Sequence, residues 1–170
     1  RLYKSRGELA TMRRSAQIAV GAHLRAMKAT RPGRHEYEVM AEILHEFHRR
    51  RADISYSPIV GSGPNSCVLH YRENSREMQD GELLLIDAGC EYDYYASDVT
   101  RTLPVGGRYS RRQRAVYEVV LEAHLAAIER ANAPVSAFVT LAAEPARAAA
   151  RAMDRAVAAG ETLPPLAGVP

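Results

Sequence analysis

Tryptophan is missing from this sequence, phenylalanine occurs only twice and cysteine only twice. Without indole and phenyl rings, the chain is poorly supplied with the platforms on which single-stranded nucleic acids stack. Cys67 and Cys90 stand too far apart for a zinc ribbon, and two cysteines make no disulfide framework. A reducing, cytoplasmic compartment is the expectation that follows. No apolar run approaches the ~20 residues of a membrane-spanning helix, and Arg1 to Arg14 lack the apolar core of a signal peptide. Charge of one sign is not in great excess either, with a net +3 and a pI near 9.0. The basic clusters Arg13-Arg14, Arg49-Arg50-Arg51 and Arg111-Arg112 are short, and no reading motif accompanies them. They read as solvated helix faces. Neither a nucleic acid nor a membrane is therefore expected as a partner.

What is present is enough for a hydrophobic core: 170 residues, 46% of them apolar. Ser5-Arg6-Gly7-Glu8 forms a capping-box pattern, a hydroxyl answered by a carboxylate three residues later. Leu9, Met12, Ala16, Ala19, Val20, His23 and Met27 follow at helical spacing, and Arg31-Pro32-Gly33 closes the helix. A second helix carries Val39, Met40, Ile43, Leu44 and Phe47 on one side, with His45 and His48 read as surface residues. Tyr56 to Val60 then reads as a strand, Gly61 to Asn65 as a turn, and Cys67 to Tyr71 as the returning strand. Gly61-x-Gly63 is no phosphate loop, because neither a third glycine nor a Lys-Ser/Thr pair follows. Leu83 to Ile86 predicts a strand buried on both faces, and Tyr95 to Thr102 predicts its partner. A third helix spans Gln113 to Arg130, with Val116, Val119, Val120, Ala123, Ala127 and Ile128 on its inner side. The sum is an α+β arrangement. Beyond Ala131 the texture changes to alanine punctuated by proline, with a possible helix over 146–158 and a tail from Gly160. The expected organisation is therefore residues 1–130 as one unit and 131–170 as a C-terminal segment.

Chemistry enters at Asp87, a carboxylate that directly follows four apolar strand residues. Burying it unpaired would cost several kcal/mol. In a hairpin turning around Tyr92 to Tyr94, Asp98 falls opposite Asp87, within a bulge of a residue or so. Cross-strand Cβ atoms on one face are ~5 Å apart, so the two carboxylates repel unless a cation lies between them. Arg101 lies three residues along the strand and points to the other face. A divalent ion with hard oxygen ligands suits the pair better; the alternative is that Asp98 sits at a strand end and is solvated. His70 joins them only if its strand lies beside this hairpin.

The run Ile59 to Tyr71 with Glu73-Asn74, together with Leu85 to Tyr92 and Tyr95 to Thr102, closely resembles the aminopeptidase P (Xaa-Pro aminopeptidase) family. The likeness extends from about Lys4 to Arg130. It implies a pita-bread (creatinase/aminopeptidase) fold, of which this chain holds the N-terminal half, and a pair of divalent metal ions of the manganese type. On the matching positions, Asp87 would chelate one ion and Asp98 bridge both. His70 would contact the substrate, and Tyr56 would hydrogen-bond a ligand aspartate. The implied substrate is a peptide with proline in second position, cleaved by a metal-bridging hydroxide; a homo-oligomer is compatible with the family.

The family completes its site with a metal-ligating histidine, two glutamates and a further histidine from the second half of the fold. His124, Glu144 and Glu161 carry no matching motif. The expectation is a fragment, inactive or weakly active on its own. Two other readings compete: a non-enzymatic pita-bread scaffold, and a hydrolase of the prolidase or methionine aminopeptidase kind.

Overall fold

The computed structural model describes residues 3–135 together with 144, 148, 151, 152, 155 and 159. Residues 160–170 and most of 146–158, expected as tail and helix, lie outside the described residues. The chain divides into two compact units, Arg1–Gly107 and Arg108–Pro170.

The first unit begins with α1 (Arg6–Ala29), started by the expected box: Glu8 N–H donates to the Ser5 hydroxyl and Ser5 N–H to the Glu8 carboxylate. Its buried face is Ser15, Ile18, Ala19, Ala22, His23, Ala26 and Met27. Leu9 and Val20, expected inside, are 41% and 51% exposed. The reason is side-chain size. The stripe that meets α2 (Glu36–Arg49) is rich in alanine, which allows close approach, and small residues barely register in an apolar pattern. Phe47, Ile43 and Val39 of α2 fill the space, all fully buried.

Two antiparallel sheets follow. One has the order β2 (Ile59–Ser62), β3 (Leu83–Ala88), β6 (Val99–Pro104); the other has β1 (Asp53–Ile54), β4 (Cys90–Tyr92), β5 (Tyr95–Ala96). β3 was expected to be buried on both faces, but its burial alternates. Leu84, Ile86 and Ala88 are fully buried, whereas Leu83, Leu85 and Asp87 are half-buried. A helix layer covers one face only, and a run of leucines cannot show which face that is.

The strand expected over Cys67–Tyr71 does not form. Gly63–Cys67 is a 3-10 turn, and the partner of β2 is β3. The expected Tyr95–Thr102 strand is split in two. The chain leaves the first sheet after Ala88, makes the short β4–β5 hairpin in the second, and returns as β6. Asp93 and Tyr94, at φ of 48° and 66°, form the hairpin's tight turn.

The second unit contains α3 (Arg111–Val135). It starts two residues before Gln113 because Ser110 and Gln113 cap it reciprocally, Ser110 N–H to Gln113 Oε1 and Gln113 N–H to Ser110 Oγ. Val116, Val119 and Val120, expected on an inner side, are 65%, 70% and 50% exposed. Among the described residues, its own unit supplies no layer to cover them.

Candidate metal centre

β3 delivers Asp87 on its half-exposed face. The register pairs Asp87 with Thr100 and Ala88 with Val99, so Asp98 is two residues away from the position directly opposite Asp87. The displacement has a local cause. At Gly89 the chain crosses from one sheet to the other, and a methyl group there would overlap the Ser97 carbonyl. Cys90 and Ser97 exchange contacts across this crossing, with Ser97 N–H donating to the Cys90 carbonyl at 2.8 Å. Ser55 ties the same point down from β1, its N–H to the Gly89 carbonyl and its hydroxyl to the Ser97 carbonyl.

The two carboxylates still converge. The Tyr56 hydroxyl lies 2.5 Å from Asp87 Oδ1 and 2.9 Å from Asp98 Oδ1. Burial, then hydrogen bonding to Asp87 and to Asp98, pushes the phenol far above its ordinary range, so it stays protonated and donates to the carboxylates. One hydrogen cannot satisfy two acceptors. No ion pair reaches either carboxylate among the described residues. Arg101 donates instead to the Thr100 carbonyl and does not line the cleft.

His70 is not in a strand. It occupies a left-handed turn at φ 54°, exposed, and with Tyr56, Asp87 and Asp98 it lines an open cleft of 260 Å³. All four residues singled out in the sequence therefore meet in one place. Ser57, Ile59 and Arg72 complete the lining and were not anticipated; the alternation His70-x-Arg72 was the available signal.

Sequence reading also missed Glu36, a fully buried carboxylate that makes no ion pair among the described residues. It accepts from the Ser62 N–H and hydroxyl, the Asn65 amide, the Tyr71 hydroxyl and the Arg76 N–H. It fastens the loop that carries His70 onto the start of α2.

Two oxygen donors suit a hard divalent cation, and the cleft leaves them open to it. They are an incomplete set. Among the described residues no group of three or more His, Cys, Asp or Glu could hold a metal ion.

The chain is 52% identical over 130 residues to the Xaa-Pro aminopeptidase of Haemophilus influenzae, covering 76% of this chain and 30% of that protein. It is 55% identical over 123 residues to the Xaa-Pro aminopeptidase of Escherichia coli, covering 72% and 28%. Among solved structures it matches proline aminopeptidase P II from Yersinia pestis with a TM-score of 0.71 and 55% identity, over 72% of this chain and 28% of that one. Zinc-substituted E. coli aminopeptidase P in complex with product matches at a TM-score of 0.70. The chain thus spans less than a third of the length of the curated relatives it matches, and its α+β architecture is the corresponding part of a pita-bread fold. With the family model matched over residues 10–161, the chain belongs to metallopeptidase family M24.

Proposed function

We propose that this chain carries part of the site of an Xaa-Pro aminopeptidase, an enzyme that releases the residue preceding proline from a peptide N-terminus. The observation that carries the reading is the convergence of Asp87 and Asp98 on one Tyr56 hydroxyl, with no cation among the described residues to separate them. Asp87 and Asp98 would hold divalent ions, two of the manganese type, and Tyr56 would keep both carboxylates oriented. When bound, such ions supply Lewis acidity and an activated water that adds to the peptide carbonyl. His70 stands on the cleft wall, where an imidazole can hydrogen-bond a substrate carbonyl or the departing amine. Residues 1–130 would be the N-terminal half of the catalytic fold, and 131–170 a separate segment. A reducing, cytoplasmic setting belongs to the same proposal and accords with two free thiols.

Because the described residues supply only two ligands, the isolated chain should bind manganese weakly and cleave little. Calorimetric titration with manganese chloride tests the reading. Heat that is present in the wild type and lost in Asp98→Ala supports it. Equal heats in the two would sink it, and so would silence of both at millimolar metal. A scaffold without metal would give that silence.

A further inference from the structure

Tyr71 separates two residues of the cleft wall. Its ring is buried, at 7% exposure, and its hydroxyl donates to Glu36 Oε2 while accepting from the Asn65 amide and the Ser75 N–H. With Tyr71 turned into the core and clamped, its neighbours His70 and Arg72 both face the cleft that holds Asp87 and Asp98. Five arginines of the first unit are paired with a carboxylate: Arg25 with Glu42, Arg34 with Glu38, Arg49 and Arg50 with Glu46, Arg76 with Glu82. Arg72 is different. Among the described residues its guanidinium has no ion-pair partner within 4.0 Å, and neither cleft aspartate comes that close. The cleft therefore carries an acidic floor and one uncommitted cation on its wall.

A guanidinium presents parallel N–H groups in a planar fork that matches a carboxylate, a shape an ammonium group does not offer. At 260 Å³ the cleft is at the small end for ligand sites, ~300 Å³, so a carboxylate within it belongs to a short ligand. We propose that Arg72 receives the C-terminal carboxylate of a short peptide whose other end lies at Asp87 and Asp98. Arg72 is then a specificity-determining residue that favours di- and tripeptides with free C-termini. The inference rests on the peptidase reading above and sharpens its substrate class.

The test is calorimetric, on the full 170-residue chain loaded with manganese. The probes are Ala-Pro, its C-terminal amide and the amide of Ala-Pro-Glu. Ala-Pro should bind about five-fold more tightly than its amide, the scale of one accessible charge pair. Arg72→Gln should abolish that difference while leaving manganese affinity and thermal midpoint unchanged, since the side chain is exposed and unpaired in the fold. Equal binding of acid and amide to the wild type overturns the proposal, as does a difference that survives in Arg72→Gln. Tight binding of the Ala-Pro-Glu amide alone overturns the C-terminal assignment in favour of an acidic side chain. Manganese affinity is measured first. A chain that takes no manganese refutes the metal reading, and the same peptide pair on the metal-free chain still decides Arg72.

Discussion

Two carboxylate centres of this fold solve the same problem in opposite ways. Around Glu36, five hydrogen-bond donors from Ser62, Asn65, Tyr71 and Arg76 surround one fully buried charge. Around Asp87 and Asp98, two charges share one hydroxyl and face solvent. The first centre is saturated and needs nothing from outside. The second has acceptor capacity left over and like charge held together, as the proposed metal-binding role requires. A buried anion with a complete donor shell is architecture; an open anion pair with an incomplete one is chemistry waiting for a partner.

The comparison breaks most visibly at Glu36. Glu36→Ala leaves five donors facing a void and should cost about 3–5 kcal/mol in urea unfolding. A loss below about 1 kcal/mol would mean that water replaces the carboxylate without penalty, and the contrast would fail. Asp98→Asn should do the reverse. Metal-free stability should hold or rise by about 0.5 kcal/mol as repulsion is relieved, while manganese affinity drops about ten-fold or more. Stability that falls with the substitution would mark Asp98 as structural.

His23 is an intermediate case, with one ring nitrogen bonded to the Ala19 carbonyl and the other buried without a partner. Burial holds its pKa below the ordinary 6.5; Arg101 adds to this, and carbonyls of Ala19, Val99 and Ile86 oppose it. The folded protein thus resists a proton that the unfolded chain accepts. Stability should be full above about pH 6.5 and fall as pH drops below it, levelling once the folded imidazole also protonates. That acid-side loss should be absent from the slope of His23→Gln. Parallel slopes in the two proteins would remove His23 from the account. Tyr56→Phe should lower metal-free stability by about 0.5–1 kcal/mol, read in urea unfolding. Added manganese should restore part of that loss, because the ion then takes over the task of separating Asp87 from Asp98.

Much of the saturated region was illegible in the sequence, and much of the open one was legible. Asp87 stood out because a charge directly after Leu83 to Ile86 has no local excuse. Ser5 and Glu8 announced the start of α1 for a similar reason, since a capping box is complete within one turn. Glu36 gave no such warning. It sits among the polar residues that begin a helix, and its partners lie 26 to 40 residues away in sequence. Cys67 to Tyr71 was misread as a strand for the same reason: what holds this loop is Glu36, and hydrogen bonds of that range leave no periodicity. The alternate burial of β3 was equally out of reach, because the pattern Leu-Leu-Leu-Ile is silent about which side receives the helices.

The Gly89 crossing has a consequence for how the site tolerates change. The spacing of Asp87 and Asp98 is set by main chain pressed against main chain, with Ser55 and Ser97 as fasteners. Side chains out along the β4–β5 hairpin, including the fully displayed Tyr94, have no lever on that spacing. The hairpin can therefore drift in sequence while the two aspartates keep station, whereas at position 89 the smallest possible addition is already too large.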